Sequence, residues 1–374
     1  MRDYFRRDKK VHFTFPIDGD CVNANDGKIV NGKLIITAKV KAESGANIYI
    51  NGQKAEYVNG EYQAQIEITS RKNTLTAVDK ISGESDTILV FNIKNAEKKF
   101  RLTVDDNILF LQDLTKNKDK YTSLFDNEYL QMYRQIHLET GMCVHLNLFY
   151  ENDFTTDSEE YFNLSMMTDK YKDEWLKNAS WLTLSFHAYR ENPGEPYKNS
   201  GFDEVDRDCK LVDNEILRFA GREVLSNTTT LHFGSATVEG VKALRSNGYK
   251  ALGGYFEFLT NGDTLVSYHY PKDLVAYVGE RDMWVDTEED VLYFRIDRVL
   301  NLSPSVEENL QIVKDVVKSA TRGGFVELMI HEQYFYKTYG AYIKDFGEII
   351  KTCAKYLKEQ GYASVRLQDI AFEE

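Results

Sequence analysis

The chain has 374 residues, 42% hydrophobic and 13% aromatic, which is apolar material for more than one globular core and excludes collagen-like, coiled-coil and disordered compositions. A formal net charge of −13 argues against nucleic-acid partners and anionic membrane surfaces, because each bound anion would approach against the mean field. A neutral sugar meets no such barrier and can be gripped by carboxylates and aromatic faces.

The opening MRDYFRRDKK is basic but runs into HFTFPIDGD, so the apolar stretch of a secretory leader is missing. The expectation is a cytoplasmic protein, or an extracellular one if the sequence is a truncated piece. No later stretch reaches the roughly 18 apolar residues of a membrane span. From Lys33 to Asn95, short runs alternate at period two: KLIITAKVKA, NIYINGQKAEYVNGEYQAQIEIT, NTLTAVDK and SDTILVFNI. Such alternation marks half-buried strands, and Asn51-Gly52 and Asn59-Gly60 mark hairpins, since both turn positions tolerate positive φ. Residues 1–97 are therefore predicted to form a small antiparallel β-sandwich.

After NAEKK the rhythm becomes strand, turn, amphipathic helix. Strands are predicted at 100–106, 143–150, 181–187, 228–233, 249–256, 291–297, 325–332 and 363–369. Helical patterns lie between most of them, as in EYLQMYRQIHLETG and DFGEIIKTCAKYLKEQG. Seven or eight such units over residues 98–374 predict a (β/α)7-8 barrel, because the Gly-rich phosphate loop of an open doubly wound sheet is missing after the first strand. The stretch between Glu257 and Asp290 is too long for a plain turn and is read as a lid or subsite insertion. Cys21, Cys143, Cys209 and Cys353 lack CxxC spacing and are read as free thiols.

In a parallel barrel, chemistry sits where strands end. Here the first strand ends in Asp105-Asp106-Asn107, the third in His187, the fourth in His232, the sixth in Asp297 and the seventh in His331-Glu332. Three of the seven histidines thus close strands beside a double aspartate; His12, His137, His145 and His269 do not and are read as structural. Imidazole and carboxylate suit a divalent metal, zinc first, with nickel, cobalt or manganese as alternatives. Such a metal acidifies water and polarises a carbonyl, while a free carboxylate and a histidine move protons. Just after His331, the aromatic run Tyr334, Phe335, Tyr336 and Tyr339 offers stacking faces for sugar rings.

Three segments carry a family resemblance. LTVDDN resembles the first motif of the polysaccharide deacetylases, LSFHAYRENP resembles the second, and ELMIHEQ resembles the last. The resemblance implies Asp105 as general base, Asp106 as metal ligand, His187 as the first metal histidine and His331 as the acid. Two positions depart from the family: Glu191 stands where a second metal histidine is expected, and His232 where an arginine is expected. The metal set implied is Asp106 and His187 with either His232 or Glu191. Glu332, Tyr334, Tyr336 and Tyr255 are candidate substrate contacts. Residues 50–85, INGQKAEYVNG through DKISGES, resemble the immunoglobulin-like modules that accompany carbohydrate enzymes.

The expected function is a metal-dependent hydrolase that removes acetyl from a carbohydrate. Two alternatives stay open: a metal-free glycosidase pairing Asp105 or Asp106 with Glu332, and a carbohydrate-binding protein on an inactive barrel. The sugar, the acyl group and the oligomeric state are not legible.

Overall fold

The structure is a computed structural model describing residues 2–152 and 160–372. In the N-terminal part, His12–Phe15, Gly27–Val30, Lys33–Lys41, Glu56–Val58 and Glu61–Ile68 form one antiparallel sheet. Ile48–Ile50, Gln53–Lys54, Lys72–Asp79 and Ser85–Phe91 form another. The period-two pattern explains their packing: Leu34, Ile36, Ala38 and Val40 turn to one face of their strand and meet Ile50, Leu75, Ala77 and Val90 of the other sheet in a shared core. Asn51-Gly52 and Asn59-Gly60 both hold positive φ and close two-residue hairpins. A third such hairpin, at Asn31-Gly32, lies just ahead of the predicted strand region.

Seven parallel strands follow in the predicted order: β1 (Lys99–Asn107), β2 (Val144–Phe149), β3 (Leu182–Ala188), β4 (Thr228–Thr229), β5 (Ala251–Gly254), β6 (Val291–Arg295) and β7 (Phe325–His331). They make two arcs. One runs β3-β2-β1-β7, with Arg298–Val299 beyond β7; the other runs β4-β5-β6 and ends on antiparallel Met283–Asp286. Backbone bonds of Leu184 to Val224 and Ser226 carry the pairing from β3 toward β4, and Asp297 N–H to Glu327 O links the end of β6 to β7. The body is thus a mixed α/β layer structure whose ladder is interrupted, not the closed barrel expected. Two predicted strands are also cut short. The fourth stops at Thr229, leaving His232 in a short 3-10 turn, and the eighth is only Ala363–Ser364, followed by a helix at Leu367–Ala371.

The predicted helices appear at Glu128–Thr140, Phe202–Phe219, Val238–Ser246, Val306–Val317 and Phe346–Glu359. Asn127, Thr237 and Ser305 cap three of them by accepting backbone N–H groups of the first turn. Their apolar stripes cover the outward side chains of the strands, such as Phe100, Leu102 and Val104 of β1.

The inward columns are polar. They read Arg101, Thr103, Asp105 on β1; His145, Asn147 on β2; Thr183, Ser185, His187 on β3; and Glu327, Met329, His331 on β7. Polar interiors need every group paired, so these columns fix a network and not merely a volume.

The N-terminal segment is also sewn onto this body. Arg281 pairs with Asp20 and Asp26, Trp284 Nε1 donates to Asp18 O at 2.9 Å, and Arg2 Nη1 donates to Asp286 at 2.7 Å. Among the described residues, no helix is long and apolar enough to cross a membrane, and the four cysteines are unbridged.

Candidate metal centre

Asp105 and Asp106 are neighbours, so on a regular strand they would face opposite sides. The pairing of β1 with β2 slips between Val104 and Asn107, and Asp106 takes a left-handed backbone at φ 62°. This local bulge turns both carboxylates toward one cavity, with each residue under 5% exposed.

Asp106 Oδ1 lies 3.1 Å from His187 Nε2 and 3.4 Å from His232 Nδ1, and the two imidazole nitrogens are 3.0 Å apart. The outer ring nitrogens decide what these distances mean. His187 Nδ1 faces Thr230 O at 2.6 Å, and His232 Nε2 faces the backbone oxygen of Glu191 at 3.2 Å. A carbonyl only accepts, so both outer nitrogens donate, and the inner nitrogens of neutral rings present lone pairs to each other and to a carboxylate. Three acceptors in contact demand a cation between them. The edges of 3.0 to 3.4 Å resemble the ligand-to-ligand spacing of about 3.4 Å expected around a tetrahedral ion with bonds near 2.1 Å. The donor set therefore fits a divalent metal, and these are the three residues whose ligand atoms cluster for one.

In the metal-free chain a proton does part of that work. Burial opposes charge on His232, but the Asp106 hydrogen bond and the nearby carboxylates hold its pKa above the ordinary value. Burial lowers His187 despite Asp106. For Asp106, burial is outweighed by the neighbouring imidazoles of His331, His187 and His232, which favour its charged form and keep it well below the usual carboxylate range. Metal and proton hence compete for one place. Gln333 Nε2 donates to Asp106 Oδ2 at 2.9 Å and fixes the second oxygen.

Asp105 stands outside the triad. Burial, followed by the charge of Asp106, pushes its pKa well up. Its Oδ1 accepts from Asn147 Nδ2 at 2.6 Å; Asn147 Oδ1 accepts from Ser185 Oγ at 2.5 Å; Ser185 Oγ lies 3.0 Å from His145 Nε2, and His145 Nδ1 lies 2.9 Å from Thr183 Oγ1. Because the Ser185 proton is spent on Asn147, His145 Nε2–H must donate to Ser185, and Thr183 must donate to His145 Nδ1. The chain of donors ends on Asp105, and His145, read from sequence as structural, sits behind it.

His331 Nδ1 donates to Asn301 Oδ1 at 2.8 Å, and its Nε2 lies 4.0 Å from Asp106 Oδ2. Burial lowers its pKa, partly offset by Asp106. Glu191 places its carboxylate 3.8 Å from His232 Nε2, on the ring's outer side, so it stands behind His232 and not within the triad.

These groups open on a cavity of about 460 Å³. One side carries Asp105, Asp106, His187, His232 and His331; Ile296, Val299, Leu302, Met329 and the Tyr255 ring line another. The hairpin formed by Glu257–Phe258 and Thr264–Leu265, with Val266, adds a further wall, as a subsite insertion would.

The remaining candidates lie elsewhere. Glu332 does not reach the cavity: it is fully buried, and its carboxylate accepts the backbone N–H of Ile108, Leu109 and Phe110 at 2.6 to 2.9 Å. Tyr336 donates to Glu332 and stacks near Tyr129, and Tyr334 packs on Tyr339. Neither lines the cavity. Of the four predicted substrate contacts, only Tyr255 does. Sequence reasoning missed Asn147, Gln333, Asn301 and Thr230. Gln333 alone had a local signal, two residues after His331.

No protein-family model matches the sequence, and no curated protein matches it. Among solved structures, the chain is similar to 4-α-glucanotransferase from Thermococcus litoralis at 12% identity and a TM-score of 0.45, over 74% of this chain. It spans only 40% of that enzyme's chain. It is also similar to a chain described as a polysaccharide deacetylase from Mycobacterium smegmatis at 10% identity and a TM-score of 0.38, over 73% of this chain and 95% of that one. Likeness at this level carries no argument, and the functional reading rests on the site itself.

Proposed function

We propose that the chain is a metal-dependent hydrolase of the polysaccharide deacetylase type, acting on a C–N amide such as an N-acetylated sugar, with its chemistry in residues 98–374 and residues 1–97 as an accessory immunoglobulin-like module. The observation that carries this reading is the convergence of three acceptors, Asp106 Oδ1, His187 Nε2 and His232 Nδ1, with their outer partners already satisfied.

A divalent ion held by these three residues supplies Lewis acidity and makes water easier to deprotonate. Asp105 takes the proton of the attacking water. The added positive charge next door favours its ionised form, against the burial that opposes it. Asn147 holds one Asp105 oxygen, leaving the other for the proton. His331 faces the departing amine through Nε2. Because burial favours the neutral ring, the proton it hands over is the one Asp105 has taken from the water, passed to Nε2 before the amine departs. Asn301 fixes the ring's orientation from behind.

The glycosidase alternative loses its second carboxylate, since Glu332 is consumed by three backbone amides away from the cavity. The test pairs metal content with amide hydrolysis for Asp105→Asn and Asp106→Asn. Asp105→Asn is expected to keep the metal and slow turnover by about 10² to 10⁴. Asp106→Asn is expected to lose both. Wild-type protein that takes up no divalent metal after soaking would overturn the reading.

A further inference from the structure

Much of the cavity wall that the proton chemistry does not use is apolar, beside Glu257, Asp297 and Arg298, which also line it. Ile296, Val299 and Met329 are each under 7% exposed, yet they form a cluster of their own, separate from the main core, with Tyr255 packed against it. All four line the cavity. Buried apolar side chains normally join the common core, where burial stabilises the fold. A separate cluster at the wall of an active-site cavity contributes little there and instead presents a dry surface to whatever enters. Met329 precedes His331 by two residues on β7, so both face the same side and the apolar floor lies next to the acid. Toward the mouth the same character continues: Leu302 is 70% exposed and Phe233 46% exposed, and both line the cavity. A hydroxyl placed on these side chains would forfeit its water without gaining a partner from them, whereas Thr230, Glu257, Asp297 and Arg298 of the same cavity offer polar partners to the rest of the substrate.

We infer that the cavity receives an apolar substituent of the substrate, of roughly four to eight carbons, adjoining the scissile bond. The substrate class is then an amide that carries a lipophilic group of that size beside the scissile bond, whatever the polar remainder of the molecule. This inference rests on the hydrolase reading for the bond that is cut, but it concerns the walls of the cavity and can be tested without turnover. Hydrolysis of such an amide breaks its C–N bond with water to give a carboxylate and an amine, and the apolar group leaves on one of the two.

Binding of both product series to the zinc-loaded full chain separates the possibilities. Calorimetry with acetate, butyrate, hexanoate and octanoate probes the acyl side, and methylamine through octylamine probes the amine side. One series is expected to tighten by about 3- to 4-fold per methylene, close to the transfer free energy of a buried CH₂, until the cavity is full. Leu302→Asp, at an exposed position that the fold tolerates, and Val299→Ala should each reduce that gradient. The series that responds identifies the side of the bond. Dissociation constants that stay within about 2-fold from two carbons to eight in both series, or no binding in either, would overturn the inference. Should the gradient appear while zinc is absent and no amide is cut, the apolar site stands and the hydrolase reading falls.

Discussion

Arg101 and Glu327 face each other across β1 and β7, four register pairs below Asp105 and His331. Both levels bury charge, but they satisfy it differently. At the lower level Arg101 Nε donates to both Glu327 oxygens at 2.9 Å, Arg101 Nη1 donates to Thr228 Oγ1 at 3.0 Å, Thr103 Oγ1 donates to Glu327, and the guanidinium lies over the Phe294 ring. One cation meets one anion, with two hydroxyls joining them and Arg101 Nη2 left without a hydrogen-bond partner among the described residues. At the upper level Asp106, His187 and His232 bring acceptors against acceptors. A cluster whose charges cancel suits a structural role; a cluster with a surplus of lone pairs suits a cation. The difference between structural charge and functional charge is therefore one of donor and acceptor balance, not of burial, which the two levels share.

The largest effect should come from removing an upper-level ligand. His187→Ala or Asp106→Asn is expected to drop bound metal from about one equivalent to under about a tenth, because two ligands rarely retain such an ion, with hydrolysis falling to background. Thermal melts sharpen the contrast. Metal-free Asp106→Asn should melt no lower than metal-free wild type, since an amide N–H₂ can donate to His187 Nε2 while its oxygen still accepts from Gln333. Added zinc should raise the wild-type midpoint only. A lower midpoint for metal-free Asp106→Asn would mean that the triad stabilises the fold by itself.

Breaking the lower level should act on stability. Arg101→Ala leaves Glu327 buried and unpaired, at an expected cost of about 3 to 5 kcal/mol in urea unfolding, whereas replacing both residues by Met should be nearly neutral. If the double variant is as unstable as the single one, the pair does more than cancel charge.

A third buried carboxylate tests the rule without any cation at ion-pair distance among the described residues. Burial, then the charge of Asp297, pushes Asp282 up to about 7, against hydrogen bonds from the backbone of Gly323, Phe325 and Gly324. The folded state holds this proton more tightly than the unfolded chain does. Stability should thus fall as pH rises from about 4 to about 7, by roughly 2 to 4 kcal/mol, and level off above. Asp282→Asn should remove that slope from urea titrations repeated across the range.

The smallest effect concerns orientation. Asn147→Ala should slow hydrolysis about 10-fold with metal content and KM unchanged, because only the alignment of Asp105 is lost. Ser185→Ala, which leaves Asn147 in place but frees its amide to flip, should fall between that variant and wild type. An altered KM or metal content would assign Asn147 to packing.

Much of this was legible in the sequence, and the rest was hidden for physical reasons. Period-two runs and the strand-helix rhythm predicted both regions and the order of the seven parallel strands, because local pattern decides which face of an element is buried. The strand-end rule singled out Asp105, Asp106, His187, His232 and His331, which the structure places on one cavity. It could not show that Glu332, next to His331, turns away to cap the backbone after β1, because that partnership spans 222 to 224 residues. Nor could periodicity show that His145 and Asn147 face inward behind Asp105, since a polar column inside a parallel arc looks like ordinary alternation. The N-terminal strands looked self-contained, but Asp18, Asp20 and Asp26 reach Trp284, Arg281 and their neighbours through contacts that no linker composition reveals.

His232 is held by a turn and not by a strand, and that turn is moulded against the hairpin region. Gly234, at φ 51°, admits no side chain, because a Cβ there would sit 2.3 Å from Val266 Cγ1; Tyr268 N–H binds Gly234 O at 2.7 Å, and Val266 itself holds φ 47°. Non-glycine residues in this region each cost about 1 to 3 kcal/mol, so the two loops keep one another in shape. The hairpin region and the turn that carries His232 are thus one unit: a substitution that reshapes this wall of the cavity would also move the His232 ring, and neither could be altered alone.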